Sequence, residues 1–235
     1  MSRRDERYST DQLIKDSRFH RAALEADPKV IGLEPEVRAL EDRLRTAQTS
    51  TENAEYERMK RLAIFTRTDF DLDWEVRQVE MDALKAVHKK RQAAEYKAVF
   101  PKGLDGIIEL RGEAESNAVR TMRSALGDNL PDLEQEHGET LEVLCAASAA
   151  AEREWKASEQ KYAETFAKEV KARVELTRLF HKHEGELLRA YPAQKDRVRT
   201  YFRSRPTTQE EPQQGKANPG PKAVVGPAAE GAPKA

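Results

Sequence analysis

Four acidic residues in the first half of the chain have the spacing of a calcium-binding loop. They match the carboxylates at positions 1, 3, 5 and 12 of an EF-hand loop: Asp69, Asp71, Asp73 and Glu80. Trp74, however, stands where that loop needs a glycine for its sharp turn. We therefore interpret this stretch as an acidic segment of a helix and predict no calcium site.

A glutamate and a histidine three residues apart, Glu134 and His137, have the spacing of a carboxylate-bridged metal motif. Bundles with such a centre need a second Glu-x-x-His pair and further glutamates. The chain has no second pair, because Lys85, Arg178 and Phe180 stand three residues before the other candidate histidines. His137 also adjoins a glycine near the expected start of a helix. We predict a surface histidine that binds no metal.

His181 and His183 point about 200° apart on a helix, so they cannot chelate one ion, and we interpret them as a solvated or pH-responsive pair.

The single cysteine, Cys145, has apolar neighbours and no histidine at catalytic spacing, which predicts a buried, inert thiol. The glycines match no phosphate-binding loop. The sequence therefore predicts no catalytic, cofactor-binding or metal-ligating residue, and we expect a protein that is not an enzyme.

The distribution of charge is more informative than these motifs. Residues 1–100 carry 20 basic and 20 acidic side chains, residues 101–170 carry 8 and 15, and residues 171–205 carry 10 and 4. We call the last of these the basic segment. Its candidate contacts with an anionic partner are Arg189, Arg197, Arg199, Arg203 and Arg205. It could bind nucleic acid or an anionic surface. We favour the alternative that it lies against the acidic middle of the chain or of a second copy, because its charge excess is modest.

The composition excludes several classes of protein. The 235 residues have a formal net charge of -1, and only 38% are hydrophobic. These values suit neither an enzyme with a sheet buried on both faces nor a polycationic nucleic-acid binder. The longest uncharged run in the helical region has nine residues (143–151), whereas a bilayer-spanning helix needs about 20. We expect a cytoplasmic protein with neither a transmembrane segment, a signal peptide nor an internal disulfide.

Apolar residues recur in steps of three and four along two long spans. No glycine or proline occurs between Pro35 and Pro101, which favours helix. The second span follows Gly127 and Pro131, which are typical of a helix end and of the next helix start. Polar residues such as Arg58 in these stripes, and a change of spacing near it, favour a loose bundle over an ideal coiled coil.

These patterns predict an all-α fold, an elongated antiparallel helical bundle with coiled-coil-like packing. Three regions are expected: a short helix and loop (1–34), the bundle (35–205) and a disordered tail rich in Pro, Gly and Ala (206–235). The helix between the long spans is too short to return along them, so we expect a long span to fold back, near 46–53 or 66–71. The expected core residues include Leu62, Val76, Leu144, Trp155 and Phe166.

A bundle without a catalytic motif predicts a non-catalytic helical scaffold or protein-interaction protein, which binds a protein partner or itself through its helix faces. The alternative is a nucleic-acid- or anionic-surface-associated protein that uses the basic segment, and its binding would depend steeply on salt. A third hypothesis, a metal enzyme in a helical bundle, requires stoichiometric iron, manganese or zinc in the purified protein.

Overall fold

The computed structural model describes residues 9–203, so the predicted tail (206–235) and Arg205 lie outside the described residues. Within this range the chain is all-α, without a strand, and its helices pack on one another, which confirms the predicted fold class. The helices are α1 (Thr10–Glu25), α2 (Glu34–Ala86), α3 (Ala94–Val99), α4 (Asp105–Ile108), α5 (Glu113–Asn129), α6 (Pro131–Ala190) and α7 (Lys195–Thr200). No helix in the described part is long and apolar enough to cross a membrane.

Two long helices, α2 with 53 residues and α6 with 60, form the axis of the molecule. At 1.5 Å per residue they are about 80 and 90 Å long. They are antiparallel, because Arg43 lies 2.8 Å from Glu175 whereas Arg61, further along α2, contacts the earlier Glu154. Each has a proline in its first turn, where the missing N–H has no helical partner to lose.

The expected fold-back of a long span is wrong. Helix α2 runs through residues 46–53 and 66–71 without a break, and α6 runs through Gly138 and Gly185. The prediction assumed that the short helices between the two spans must carry the chain back over their whole length. Instead, α6 begins beside the end of α2, and α3 to α5 pack around that end. A helical glycine costs only about 1 kcal/mol, which tertiary packing outweighs.

Burial recurs every seven residues along both long helices. The series on α2 is Val37, Leu44, Thr51, Phe65, Leu72 and Val79, and the series on α6 is Leu141, Ser148, Glu169, Leu176 and His183. Three positions of these series are half-buried instead of buried. They are Arg58 on α2 and Trp155 and Tyr162 on α6. Such spacing keeps one face of each helix on its partner over many turns.

Two separate hydrophobic cores lie at the ends of the α2–α6 pair. The first core joins α1, the start of α2, the end of α6 and α7, with Leu24 and Phe180 among its buried residues. The second core joins the end of α2, α3, α4, α5 and the start of α6. Between the cores, the rings of Phe65 and Trp155 stack with their centroids 5.5 Å apart. The middle of the molecule is therefore much thinner than its ends.

The predicted core is only partly right. Val76 is fully buried in the second core, and Leu144 and Trp155 are half-buried. Leu62 and Phe166 are wrong, because their side chains are exposed in the middle of the molecule. Both residues lie on sides of their helices that are buried elsewhere along the same helix. Burying them would require a third helix beside them, and none of the helices in the described residues lies there.

Candidate functional site

One side of the α2–α6 pair carries a third layer of helix at each end. At the first core α1 covers this side, and Gln48 of α2 donates a hydrogen bond to Asp11 of α1 (2.8 Å). At the second core the start of α5 covers it, and the backbone N–H of Gly112 donates to Asp69 (3.4 Å). Gln48 and Asp69 are 21 residues apart, which is three heptads, so they face the same side of α2.

The exposure of Leu62 shows that this third layer is interrupted. Glu41, Leu62 and Val76 belong to one seven-residue series on α2. Glu41 is 2% exposed beneath α1, where it accepts a hydrogen bond from Ser17 (3.0 Å), and Val76 is 0% exposed in the core that contains α5. Leu62, between them, is 42% exposed. The same face of α2 is thus covered at Glu41, open to solvent at Leu62 and covered again at Val76.

Phe166 on α6 repeats this pattern. Cys145, Phe166 and Phe180 belong to one seven-residue series. Cys145 is buried where its carbonyl accepts a hydrogen bond from Ser116 of α5 (3.2 Å), and Phe180 is buried with its ring 5.5 Å from that of His20 of α1. Phe166 is 43% exposed. Both long helices therefore leave the same stretch of the third layer open.

We call this stretch the open face and define it by six residues: Glu55, Met59, Leu62, Glu159, Tyr162 and Phe166. From Gln48 to Asp69 it is about 31 Å long. It combines apolar side chains with two glutamates, because Glu55 lies one heptad before Leu62 and Glu159 one heptad before Phe166. Arg58 lies at its floor, 4.8 Å over the ring of Tyr162 and 3.9 Å from Glu159. The open face therefore offers apolar contact together with negative charge.

The opposite side of the pair is also open at this height and holds a groove with a volume of about 890 Å³. Its lining combines small side chains, such as Ala54 and Thr165, with more basic than acidic ones. The basic residues are Arg43, Lys161, Lys168 and Lys171, and the acidic ones are Glu57 and Glu175. We call it the cationic groove. The middle of the molecule thus has two uncovered sides of different chemistry.

The structure separates the five candidate arginines of the basic segment. Arg197 lies 3.0 Å from Asp27, and Arg203 lies 3.9 Å from Asp16. Within one chain these two therefore contact α1 and the loop after it, and contact with the acidic middle (101–170) of a second copy stays a prediction. These contacts reduce the charge offered to an anionic partner. The other candidates are exposed or lie outside the described residues: Arg189, Arg199 and Arg205.

His137 is buried, which corrects the prediction of a surface histidine. Its Nδ1 lies 2.8 Å from Glu75 and its Nε2 lies 3.3 Å from Asp82, both on α2. The physical reason is that the first turns of α6 pack directly on the end of α2. The spacing of Glu134 and His137 alone gives no sign of this long-range contact.

His181 and His183 point to different sides of α6, but only His181 is exposed. The interpretation as a solvated pair is therefore wrong for His183, which is fully buried. Burial lowers the pKa of His183 below 6.5, while nearby Glu36 acts in the opposite direction. His183 belongs to the first core, where its Nδ1 lies 3.0 Å from Nε2 of His20.

The acidic residues 69–73 lie within α2, which confirms the interpretation as a helical segment. Asp69 and Asp73 lie against Glu115 of α5, a fully buried carboxyl group. Burial raises the pKa of Glu115 to about 9, and the two neighbouring carboxylates act in the same direction. Glu115 therefore holds its proton at neutral pH.

Cys145 is buried, as predicted. Its Sγ lies 3.7 Å from the carbonyl oxygen of Ser116. Burial raises the pKa of the thiol to about 11, so the nucleophilic thiolate is scarce at neutral pH. The raised pKa agrees with the low reactivity expected of this thiol.

Comparisons of the chain with protein-family models, with curated proteins and with solved structures found no match. The function is therefore inferred from the open face and from the residues around it.

Proposed function

We propose that the protein is a non-catalytic helical interaction protein whose open face binds one amphipathic helix of a protein partner. The observation that supports this best is the exposure of Leu62 between two buried residues of the same series. A helix seated there would continue the third layer from α1 to α5. It would also bury the exposed parts of Met59 and Phe166.

The dimensions and charges of the open face describe the partner helix. A length of about 31 Å accommodates about 20 helical residues. Apolar side chains spaced three and four residues apart would meet Leu62, Met59 and Phe166. Lysine or arginine within reach of Glu55 and Glu159 would pair with their carboxylates. The expected partner is thus a helix with one apolar stripe interrupted or accompanied by basic residues.

The apolar area available supports reversible rather than permanent binding. Complete burial of a large apolar side chain contributes about 1.5–3 kcal/mol. Met59, Leu62 and Phe166 are already about half covered, so each contributes roughly 1 kcal/mol when a partner covers the rest. Their sum is modest once the entropy of association is counted, and charge pairing with Glu55 and Glu159 has to supply part of the affinity.

The inert thiol supports the non-catalytic part of the proposal. Burial raises the pKa of Cys145 to about 11, so little of the nucleophilic thiolate is present at neutral pH. A chain with a single cysteine also suits a reducing compartment, so we propose that the protein acts in the cytoplasm.

The proposal is tested by capture of partners from the native source with the full chain as bait. Leu62→Glu and Phe166→Glu place a charge on the open face, and Val143→Glu is the matched control on an exposed part of α6 outside it. We expect both open-face variants to lose partners that the wild type and the control retain, by quantitative mass spectrometry. Equal partner sets for all four proteins contradict the proposal. Recovery of only the chain itself, through contacts outside the open face, also contradicts it.

A further inference from the structure

At the end of the α2–α6 pair, His137 lies between carboxylates. Its Nδ1 is 2.8 Å from Oε1 of Glu75, and its Nε2 is 3.3 Å from Oδ2 of Asp82. Glu136 adds a third carboxylate, and the ligand atoms of Asp82, Glu136 and His137 all lie within 4.8 Å of one another. The imidazole is buried, and Nε2 makes no hydrogen bond. A buried nitrogen lone pair that faces two carboxylates needs a physical explanation.

We propose that Asp82, Glu136 and His137 bind one divalent transition-metal ion, with zinc as the preferred ion. One imidazole nitrogen and two carboxylate oxygens are zinc ligands, and three protein ligands leave a fourth position for water. Ligand atoms about 2.05 Å from a tetrahedral ion lie about 3.3 Å apart. Nε2 of His137 and Oδ2 of Asp82 are 3.3 Å apart.

Glu75 prepares the histidine for this role. A carboxylate that accepts the Nδ1 proton fixes the tautomer, so that Nε2 carries the lone pair. Glu75 lies one helical turn from Val79 on the same face of α2, where the start of α6 covers it. This pairing distinguishes the site from an ordinary group of surface carboxylates.

The surrounding charges also suit a divalent ion. Nζ of Lys85 lies 2.7 Å from Oδ1 of Asp82 and leaves Oδ2 for the metal. Three carboxylates and one ammonium group leave a charge of about two negative units, which a divalent ion cancels. The alternative to a metal ion is a proton on Nε2 of His137. Protonated His137 would form an ion pair with Asp82, and the site would keep a net negative charge.

The test is a titration of the untagged full-length protein with Co²⁺, which replaces Zn²⁺ and gives visible absorption bands. We expect a saturable band at one Co²⁺ per chain that Zn²⁺ abolishes. Glu136→Gln changes an exposed side chain, so the fold is kept, and we expect at least a tenfold loss of Co²⁺ affinity. Glu75→Gln is expected to weaken binding by about 10–100-fold through the orientation of His137. Glu139→Gln, an exposed change on the same helix, is the control and retains wild-type affinity.

Two results overturn the proposal. One is the absence of saturable Co²⁺ binding to the folded wild type. The other is a band that persists unchanged in both His137→Gln and Glu136→Gln, which assigns the metal to another histidine. If the circular dichroism of His137→Gln shows that this variant has lost its helices, the test rests on the Co²⁺ band of Glu136→Gln alone. Leu62→Glu must bind Co²⁺ like the wild type, so the metal site and the open face are tested separately.

Discussion

Nε2 of His20 and Nδ1 of His183 lie 3.0 Å apart in the first core, where neither side chain is accessible to solvent. Nδ1 of His20 lies 2.8 Å from the carbonyl oxygen of Tyr201, which can only accept a hydrogen bond. His20 therefore donates through Nδ1, and a hydrogen bond joins its Nε2 to Nδ1 of His183, whose own Nε2 lies 3.5 Å from Glu36. This arrangement links α1, α6 and the residue that follows α7.

The histidine pair makes stability sensitive to acid. The pKa of His183 is lower in the folded state than its ordinary value of 6.5, because burial outweighs the attraction of Glu36 and Glu186, and nearby Lys182 also lowers it. The unfolded state then binds more protons below about pH 6.5, so stability falls as the pH falls through this value. We expect the melting temperature to drop between pH 7.5 and 5.5, and the drop to be smaller in His183→Gln.

His181→Gln is the matched control for this prediction, since His181 lies two residues away and is exposed. It should retain the wild-type drop. Equal drops in the wild type and in His183→Gln would show that the buried pair does not titrate in this range.

Glu115 has the opposite effect on the pH dependence. Burial raises its folded pKa from 4.5 to about 9, so the folded state holds a proton that the unfolded state releases above pH 4.5. The stabilisation is complete below about pH 4.5 and is lost as the pH rises to about 9. We expect Glu115→Gln to raise the free energy of unfolding at pH 8 more than at pH 5, as measured by urea denaturation. A Glu139→Gln control should show no such pH-dependent difference.

Asp27 anchors the end of the chain that the structure describes. The hydroxyls of Tyr191 and Tyr201 donate to its carboxylate, and Arg197 lies 3.0 Å away. These contacts lower the pKa of Asp27, the hydroxyl of Tyr191 most of all. We expect Asp27→Asn to speed hydrogen exchange of the amides of α7, whereas Glu139→Gln, at an exposed position on α6, leaves it unchanged. Unchanged exchange in Asp27→Asn would contradict the anchoring role.

Leu62 and Leu72 provide a test of where the molecule is packed. Leu72→Ala removes a fully buried side chain of the second core and is expected to cost about 2–5 kcal/mol in the free energy of unfolding. Leu62→Ala, at an exposed position of the open face, is expected to change it by no more than about 0.5 kcal/mol. Urea denaturation of both variants measures this, and equal losses would mean that Leu62 is covered in solution.

The long helices were predictable because their signals are local. A span without glycine or proline and a spacing of three and four residues both act within a few turns. The same spacing could not show that Leu62 is exposed and Val76 is buried. The difference arises because α5 packs beside the turn of α2 that holds Val76 and not beside the turn that holds Leu62. Which turns of α2 are covered depends on where α1 and α5 begin. These borders are set by contacts of Gln48 with Asp11 and of Asp69 with Gly112, between residues 37 and 43 positions apart in the sequence.

The buried histidines were missed for the same reason. His137 contacts Glu75, 62 residues earlier, and His20 contacts His183, 163 residues later. A sequence shows which residues can titrate or bind metal, but burial and partners of this kind arise only once α1, α2 and α6 lie side by side.

The most direct test of the proposed function is photocrosslinking of the full chain in its native source, with a photoreactive amino acid in place of Met59. The same substitution at Val143 is the control. We predict a discrete adduct from position 59 whose crosslinked peptide belongs to an amphipathic helix of another protein, and no such adduct from position 143. No adduct at position 59, or the same adducts from both positions, would contradict the docking of a partner helix on the open face.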